Sequence, residues 1–421
     1  MAIRVKVARS ANELDDIYRL RHRVFVEERG KFGTTTTNNP RMMDHFDAMP
    51  GVANVIAYCE NGAPIGAIRV SEDSEVGLPS EQYLDFSGAR ETVMDEYFNA
   101  NSGRREVCPK FVCCSMLAVE EGWRNRRNVT FSLFKSAIGI MHSRHATHVM
   151  CTISAETLSM YGRMGFVAVG EAQWNEAVQD TLIPIVAPMD KVFDWAFSEL
   201  QKNVDSFWLD NFSGQFERLL LSPGEVLFDE HDHAEDTYAV DSGWVAISRE
   251  DPDGNEMVLA NLSRGALFGE LSVFDGEKRA ARATALVSSE IICIGREHMF
   301  DTLKRNPDHL LQLLRHFAKR VRETDNLAMV QAFAPQTSRV VFALNQLWQS
   351  ATPDRKYPGT RSVRIGPAQL ARTARVREDE VRQVLELKKS EGSLDYGANV
   401  IRFVQEPKEV TPPKALADSP L

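Results

Sequence analysis

The sequence predicts a multidomain chain made of an α/β domain, a β-roll or β-sandwich followed by a long helix, and a small basic helical domain. Three observations lead to this architecture. The chain has 421 residues, enough for roughly three domains of ~150 residues. Near residue 216, mixed strand-like and helix-like segments give way to short strands separated by glycine and aspartate turns. Residues 354–405 then hold eleven Lys and Arg against seven Asp and Glu, within a chain of net charge -10.

The composition excludes several classes of protein. Hydrophobic residues make up 43% and charged residues 26%, values that exclude collagen, a disordered chain and a disulfide-stabilised miniprotein. Neither a stretch of about 18 apolar residues nor an apolar N-terminal signal occurs, so we expect no membrane span and a cytoplasmic location. The six cysteines show no CxxC pair and no metal-ligand spacing, which predicts reduced thiols and no metal site.

Residues 1–200 are predicted to form the α/β domain. Residues 52–58 and 64–70 predict two strands, and the Asn61-Gly62 pair between them is typical of a hairpin turn. Another apolar strand is predicted over 112–119 and a helix over 131–141. Such a mixture of strands and helices is typical of an α/β domain.

A basic turn after the predicted strand 112–119 carries the first functional signal. The ten residues EEGWRNRRNV at 120–129 place cations at a helix N-terminus, where phosphate groups bind readily. Together with YGRMGF at 161–166, this turn resembles the acyl-donor half of the GNAT acyltransferase superfamily. The resemblance implies a GNAT-like fold, and a donor that is either acyl-CoA or the phosphopantetheine thioester of acyl carrier protein. The donor-binding residues that it implies are Val119, Arg124, Arg126 and Arg127.

Three short segments resemble autoinducer synthases and related N-acyl amino acid synthases: RHRVF at 21–25, DHFD at 44–47 and GAIR at 66–69. The resemblance implies transfer of an acyl chain to an amine. Homoserine-lactone synthases carry glutamate and tryptophan where this chain has Met42 and Lys31, so we expect an N-acyl amino acid or another long-chain amide as product. The acceptor site that the resemblance implies is formed by Arg21, Phe25, Asp44, Asp47 and Arg69.

The chemistry of amide formation suggests roles for part of this set. An amine must lose a proton before it attacks a thioester, so Asp44 or Asp47 is predicted to act as the base. Backbone N–H groups of the strand at 115–119 are predicted to stabilise the oxyanion. The alternative is an α/β domain in which the aspartates only cap turns and the arginines are solvated.

The segment FGELSVFDGEKRAA at 268–281 carries the strongest signal in the chain. A glycine followed by turning backbone allows several N–H groups to converge on an anion. Arg279 can bind a phosphate through two hydrogen bonds, and the Glu270 carboxylate can accept from a ribose hydroxyl. Since Ala280 and Ala281 are small, a ligand can approach the backbone closely. These properties predict a site for a sugar with an attached phosphate.

This segment closely resembles the phosphate-binding cassette of cyclic-nucleotide-binding domains, and the resemblance covers most of residues 216–330. It implies a β-roll in which Glu270 binds the ribose, Arg279 binds the cyclic phosphate and Thr324 reaches the base. Alanine at position 280 implies a preference for cAMP. His231 stands where the family has a turn glycine. The implied backbone cradle consists of Gly269, Leu271, Ser272, Ala280 and Ala281. The alternative is a roll that has lost its ligand, with Glu270 and Arg279 in an ordinary salt bridge.

After the roll, apolar residues recur at steps of three and four, which predicts a helix over 310–328 with a seam of coiled-coil type. We expect two copies of the chain to form a homodimer along this seam. The alternative is a helix that packs on its own domain. The seam positions are Leu310, Leu314, Phe317, Val321, Thr324 and Ala328.

Residues 365–405 predict a short helix at 368–373, a turn at Val376, a second helix at 378–390 and a hairpin wing at 395–399. This order resembles the winged helix-turn-helix of the catabolite activator family of transcription regulators, and implies DNA as a partner. The second helix, which we call the reading helix because it would enter the DNA groove, begins with Glu378, Asp379 and Glu380. The phosphates that line the groove repel these carboxylates. A winged helix kept only for packing or dimer geometry is the alternative. The implied DNA-binding residues are Arg377, Arg382 and Gln383.

The predicted domains are therefore a GNAT-like N-acyltransferase domain at 1–200, a cyclic-nucleotide-binding domain with its dimerisation helix at 205–332, a winged helix-turn-helix at 335–405, and a disordered tail at 406–421. Two functions fit this order. The first is a cAMP-regulated N-acyltransferase, which we favour because the reading helix is acidic. The second is a cAMP-dependent transcription regulator whose N-terminal domain senses an acyl ligand.

Overall fold

The computed structural model describes residues 2–32, 40–100, 108–124, 127–197, 217–250, 256–305, 307–349, 351–354 and 356–407. The chain divides into two compact units, Ala2–Leu220 and Leu221–Leu421. The predicted boundary near residues 200–205 and most of the predicted tail lie outside the described residues.

The first unit is an α/β domain built on one sheet with the strand order β1-β2-β3-β4-β5-β8-β6, to which β7 adds by pairing with β8. Its strands are β1 (Ile3–Val7), β2 (Val52–Tyr58), β3 (Pro64–Glu72), β4 (Phe111–Val119), β5 (His148–Ser154), β6 (Val167–Ala168), β7 (Gln173–Asn175) and β8 (Asp180–Pro188). Its helices are α1 (Ala11–Arg21), α2 (Ser87–Ala100), α3 (Glu121–Arg124), α4 (Arg127–Ser143), α5 (Leu158–Gly162) and α6 (Met189–Phe197). The predicted hairpin, strand and helix are thus confirmed.

Helix α1 positions the first of the predicted motifs. Ser10 caps the helix by accepting from the backbone N–H of Glu13, and the Glu13 side chain accepts from the Ser10 N–H in return. After Arg21 the chain continues as a π-helical turn, His22–Glu28, a local widening that is often found at functional sites. The apolar side of this segment is buried among Ile56, Ala67 and Ala118 of the sheet.

Strands β4 and β5 diverge, which opens the sheet. They run parallel and pair Phe111 with His148 and Val112 with Val149. Further along β4, two residues, Met116 and Leu117, lie opposite one residue of β3, since Ala67 pairs with Ala118 and Arg69 with Ser115. Met116 has a φ of 54°. This is a β-bulge, and a bulge bends its strand and re-aims its backbone groups.

The second unit contains the β-roll. One sheet has the order β10-β15-β12-β13, and the strands β14, β11 and β16 pair in a second sheet. The strands are β9 (Glu217–Leu221, at the boundary of the two units), β10 (Val226–Phe228), β11 (Asp236–Ser242), β12 (Val245–Glu250), β13 (Glu256–Leu262), β14 (Leu267–Phe268), β15 (Arg282–Ala285) and β16 (Ser289–Gly295). The helix α7 (Glu270–Asp275) lies inside the predicted cassette.

In the described part of the chain, four helices and a small sheet follow the roll and the connecting helix α8 (Arg296–Arg305). The helices are α9 (Pro307–Phe333), which contains the predicted seam, α10 (Gln336–Gln349), α11 (Pro367–Ala374) and α12 (Glu378–Ser390). The sheet has the order β17-β18-β20-β19 and is formed by β17 (Thr352–Pro353), β18 (Arg361–Val363), β19 (Leu394–Gly397) and β20 (Val400–Phe403). Helix α12 begins and ends at the predicted residues, and β19 with β20 forms the predicted wing.

The winged helix is not a separate compact unit. Trp244, in the turn between β11 and β12 of the roll, belongs to the same buried cluster as Leu344, Leu370 and Leu385. The side-chain amide of Asn261 also donates to the Thr373 hydroxyl at 3.1 Å. The predicted division at residue 335 therefore falls inside one unit, because the roll and the C-terminal helices share a hydrophobic core.

Candidate functional site

A cavity of about 360 Å³ lies in the first unit where β4 and β5 diverge. Residues of β4 on both sides of the bulge and the last three residues of β5 line it. Pockets of this size are typical of small-molecule sites. The lining includes four residues of the predicted acceptor and donor sites: Phe25, Arg69, Val119 and Arg124.

The predicted acceptor residues form one ion-pair cluster against this cavity. Arg21 Nη1 lies 2.9 Å from Asp47 Oδ1, and Arg69 Nη1 lies 3.2 Å from Asp47 Oδ2. Arg69 also donates twice to Asp44, at 2.6 and 3.0 Å, and once to the Ser115 hydroxyl at 3.1 Å. The structure thus brings Arg21, Asp44, Asp47 and Arg69 together, whereas Phe25 lines the cavity without belonging to the ion-pair cluster.

Burial distinguishes the members of the cluster. The side chains of Arg21, Asp47 and Arg69 are at most 1% exposed, whereas the Asp44 side chain is 21% exposed. Within the described residues, Arg21, Asp44 and Asp47 are not part of the cavity lining. Arg69 is therefore the member that connects the cluster to the cavity.

Asp47 is poorly suited to the role of base that the sequence suggests. Burial raises the pKa of the Asp47 carboxyl, but the charges of Arg21 and Arg69 outweigh burial and hold this pKa below its usual value. A carboxylate with a lowered pKa and two guanidinium partners accepts a further proton with difficulty. These surroundings favour a structural role for Asp47 in the cluster, and its role as the base stays a prediction.

The predicted donor turn is described in part. Arg124 Nε donates to the carbonyl of Val119 at 2.9 Å, and its guanidinium also pairs with Glu28. This contact ties the end of β4 to the start of the turn. Arg127 is the first residue of α4, and Arg126 lies outside the described residues.

Several polar cavity residues were not assigned a role from the sequence, among them Lys31, Tyr83, Tyr161 and Asp180. Tyr161 belongs to the YGRMGF segment, so a motif was available for it. Lys31 attracted notice only as a departure from a family pattern. Asp180 and Tyr83 are isolated in sequence and carry no local signal. Their contribution depends on contacts between distant segments, which a single sequence does not encode locally.

The second candidate site is the predicted cassette in the roll. Gly269 has a φ of 70°, and a Cβ added to it would lie 2.8 Å from Arg279 Nη1, so the position requires glycine. Glu270 and Arg279 are only 1% and 3% exposed. Ser272 is buried and donates to the Lys278 carbonyl at 3.0 Å. The predicted glycine, carboxylate and guanidinium are thus brought together in one buried place.

Two backbone carbonyls and two aromatic rings contact the Arg279 guanidinium. Its Nη1 donates to the Gly269 carbonyl at 2.6 Å and its Nη2 to the Asp236 carbonyl at 2.7 Å. Its Cζ lies 4.4 Å from the ring centre of Phe228 and 5.2 Å from that of Tyr238, within the range of cation–π attraction. The two aromatic residues therefore belong to the site.

Both charged residues of the cassette keep a buried polar atom without a partner. Glu270 Oε2 and Arg279 Nε make no hydrogen bond within the described part of the chain. Unsatisfied buried polar groups are costly and rare in folded proteins. The cassette therefore holds an acceptor and a donor that a sugar phosphate can satisfy. It does not hold the direct Glu270–Arg279 salt bridge of the alternative interpretation, since Glu270 pairs with α9 instead.

Helix α9 contacts the cassette through Glu270. Arg320 Nη1 lies 3.4 Å and His316 Nε2 lies 3.7 Å from Glu270 Oε1. Thr324, predicted to reach the base, is exposed and donates to the Arg320 carbonyl one turn earlier at 2.9 Å.

The remaining predicted residues of the cassette differ in exposure. Leu271 and Ala280 are exposed, and Ala281 is buried. His231 has a φ of 72°, which fits a position where a glycine was expected.

The seam of α9 is divided between two environments. Phe317 packs edge-on against Phe274 of the roll at 5.9 Å, whereas Leu310, Leu314 and Val321 are 47%, 54% and 60% exposed. Packing on its own domain therefore applies to Phe317, whereas the homodimer stays a prediction for the exposed residues. The exposed part is an apolar stripe on the helix surface.

The predicted DNA-binding residues lie at the start of α12. Arg382 Nε donates to Glu378 Oε1 at 2.9 Å, and Arg377 Nη2 lies 3.2 Å from Asp379 and 3.6 Å from Glu380. Gln383 is exposed. Carboxylates of the same helix therefore neutralise both arginines.

Among the described residues, no group of three or more His, Cys, Asp or Glu side chains is placed to hold a metal ion. None of the described helices combines the length and the apolar character needed to cross a membrane.

Comparison with known proteins assigns both sites to families. Residues 16–187 match the family model of the N-acyl amino acid synthase FeeM, and residues 218–306 match the model of the cyclic nucleotide-binding domain. The first match contains the cavity and the ion-pair cluster. The second contains the whole cassette.

Several curated relatives of the chain are bacterial regulators. The chain is 34% identical over 132 residues to the cyclic AMP receptor protein of Thermus thermophilus. The matched region covers 31% of this chain and 61% of that protein. It is 33% identical over 126 residues to a CRP-like cAMP-activated global transcriptional regulator of Mycobacterium tuberculosis, covering 30% of this chain and 56% of the regulator.

The chain therefore spans little more than half the length of these relatives. Among solved structures, the catabolite activator protein of Thermus thermophilus is 30% identical, covers 46% of this chain and is itself covered to 86%, with a TM-score of 0.26. The chain combines an N-acyl amino acid synthase FeeM domain at residues 16–187 with a cyclic nucleotide-binding domain at residues 218–306.

Proposed function

We propose that the chain is a cAMP-regulated N-acyltransferase that transfers an acyl group from acyl carrier protein or acyl-CoA to the amine of an amino acid. The observation that carries this proposal is the cavity between β4 and β5, because the match to the synthase model contains it and Phe25, Arg69, Val119 and Arg124 line it. A thioester lying along β4 faces backbone N–H groups at the bulge of Met116 and Leu117. Such groups stabilise the oxyanion that forms when an amine attacks.

The proposed chemistry needs a base for the amine. Asp44 is the better candidate of the two aspartates because it is the more exposed, whereas Asp47 lies between two guanidinium groups. Arg69 holds Asp44 in place through two hydrogen bonds. Arg21 and Asp47 act as positioning residues, since their contacts fix Arg69.

Regulation is proposed to act through the cassette. The unpartnered Glu270 Oε2 and Arg279 Nε support a ligand with hydroxyl and phosphate groups, and Ala280 favours cAMP by family resemblance. Because Glu270 also contacts α9, a ribose that binds Glu270 alters the contacts of this helix. Ligand occupancy is thereby transmitted to the exposed stripe on α9.

The proposal is tested by mass spectrometry of lipids from cells that produce the full chain and from cells with an empty vector. We expect an N-acylated amino acid only in the producing cells. The purified chain should then form the same product from an acyl donor and the amino acid. A lipid extract without any new N-acyl amine, together with no product in vitro, would contradict the function.

The exposed stripe on α9 predicts a homodimer, and Val321→Glu is expected to weaken it. A charged side chain in an apolar interface loses its water without gaining a partner. We expect the sedimentation coefficient to change from that of a dimer to that of a monomer at micromolar concentration. Glu323→Gln, an exposed change two residues away, serves as the control and should leave the dimer intact. A dimer that persists in Val321→Glu would exclude this stripe as the interface.

A second function, DNA-binding regulation by cAMP, is favoured by one observation. The winged helix shares a hydrophobic core with the roll through Trp244. Side chains packed in this core therefore connect the roll, where the ligand binds, to α12. The carboxylates beside Arg377 and Arg382 oppose this function, because they repel the phosphates of DNA. The acyltransferase therefore remains the first proposal.

A further inference from the structure

Three side chains from distant parts of the chain form a polar cluster on the cavity wall, away from the Arg21–Asp47–Arg69 cluster. The Lys31 ammonium pairs with Asp180 Oδ2 and lies 3.4 Å from the Ser154 hydroxyl. Ser154 Oγ donates to the same Asp180 oxygen at 2.5 Å. All three residues line the cavity. The mechanism proposed above does not use them.

The position of the cluster places it at the wide end of the cleft. Ser154 is the last residue of β5 and Asp180 is the first residue of β8, whereas β4 and β5 pair at their other ends, at Val112 and Val149. The bulge of β4 lines the same cavity. A molecule bound by the cluster therefore shares the cavity with the backbone groups proposed to hold the oxyanion.

The cluster carries one positive and one negative charge that are only partly covered. The Lys31 and Asp180 side chains are 16% and 19% exposed. Burial raises the pKa of Asp180, but hydrogen bonds from Lys31 and Ser154 outweigh burial and lower it, so Asp180 is a carboxylate at neutral pH. Apolar side chains, among them Phe32 and Leu182, surround them in the lining.

A cation and an anion side by side in an apolar cavity are complementary to a zwitterion. Charge-assisted hydrogen bonds are strong when water is excluded. The ammonium of Lys31 suits a carboxylate, and the carboxylate of Asp180 with the Ser154 hydroxyl suits an ammonium. A free α-amino acid presents both groups on one carbon atom. A simple amine presents only the second.

We propose that Lys31, Asp180 and Ser154 bind the head group of the amino-acid acceptor, and that Lys31 determines the preference for an amino acid over a simple amine. Lys31 binds the carboxylate, while Asp180 and Ser154 orient the amino group. This inference rests on the proposed acyltransferase function. It assigns specificity to Lys31, a residue outside the acceptor set that the sequence resemblance implies.

The test compares kcat/KM for two acceptors. The twenty standard amino acids are first assayed with the purified full chain, and the best one is compared with the amine that its decarboxylation gives. We expect the wild type to prefer the amino acid, and Lys31→Met to lower this preference by about tenfold or more, the usual effect of losing a hydrogen bond to a charged group. The fall should lie mainly in KM for the amino acid. Lys31→Arg retains the charge and should restore most of the preference.

Two controls separate a specific effect from a damaged fold. Lys110→Met removes an exposed lysine at the start of β4, outside the cavity lining, and should leave the preference unchanged. Thermal unfolding of each variant reports the state of the fold. An equal loss of both activities in Lys31→Met, or an unchanged preference, would overturn the assignment. If the wild type acylates neither class of acceptor, the proposed function itself fails.

Discussion

Arg279→Ala is expected to weaken cAMP binding by at least about 100-fold. Hydrogen bonds to charged groups contribute about 1.5–3 kcal/mol each, and a guanidinium can supply two of them to one phosphate. The neighbouring residues do not replace this charge, because the cassette surrounds Arg279 with the carbonyls of Gly269 and Asp236 and the rings of Phe228 and Tyr238. Isothermal titration calorimetry with cAMP measures the change.

Arg282→Ala is the matched control for this experiment. Arg282 follows Arg279 by three residues, but it is partly exposed and pairs with Asp229. We expect its removal to leave the affinity for cAMP within about twofold, because exposed ion pairs contribute little. Arg279→Lys keeps the charge but not the planar fork, and should fall between the two. If Arg279→Ala bound cAMP with unchanged affinity while circular dichroism showed an intact fold, the claim that the cassette binds cAMP through Arg279 would be wrong.

Asp47→Asn is expected to lower the free energy of unfolding of the first unit by about 3–5 kcal/mol, the usual cost of removing one partner of a buried ion pair. Asp47 pairs with both Arg21 and Arg69, and all three side chains are at most 1% exposed. Without the carboxylate, two guanidinium groups remain buried beside a neutral amide. Urea denaturation followed by fluorescence of the purified chain measures this change.

Asp15→Asn provides the comparison. Asp15 also has two arginine partners, Arg19 and Arg41, but its side chain is 35% exposed. Solvent screens such a pair, so we expect a much smaller loss of stability. If Asp47→Asn were no less stable than Asp15→Asn, the buried cluster would not organise the acceptor side of the cavity.

The stability difference between Asp47→Asn and the wild type should depend on pH in a defined direction. The folded-state pKa of Asp47 is lowered from the ordinary value of 3.8 by its two arginine partners, despite burial. A lowered pKa contributes stability that is complete above the ordinary value and disappears as the pH falls through the folded-state value. We expect the two proteins to differ fully at pH 7 and to converge below about pH 4.

Local patterns in the sequence predicted the parts of the molecule that local chemistry determines. The Asn61-Gly62 turn, the span of α12 and the left-handed Gly269 follow from turn, capping and conformational preferences of neighbouring residues. The glycine, glutamate and arginine of the cassette could be predicted because they lie within eleven residues of sequence, whereas the contacts of Phe228 and Tyr238 with Arg279 could not. Each of the predicted features depends on a short stretch of chain.

Contacts between distant segments could not be predicted in the same way. The Lys31–Asp180 pair joins residues 149 positions apart, and neither residue belongs to a motif. The sequence motifs predicted that Asp47 lies near Arg21 and Arg69, but they did not predict how deeply the Asp47 side chain is buried. Burial bears on whether Asp47 acts as a base or as part of a structural ion pair. The inclusion of Trp244 in the core of the winged helix likewise depends on tertiary packing. The roles of these residues therefore depend on burial and packing, which residue types alone do not determine.

The central claim is that occupancy of the roll by cAMP controls acyl transfer in the first unit, and one titration tests it most directly. The rate of N-acyl amino acid formation by the purified full chain is measured at increasing cAMP, beside Arg279→Ala. We predict that saturating cAMP changes the wild-type rate by at least about fivefold, the lower range of allosteric coupling, and that Arg279→Ala does not respond. A wild-type rate that stays constant while calorimetry shows the roll saturated would contradict the claim.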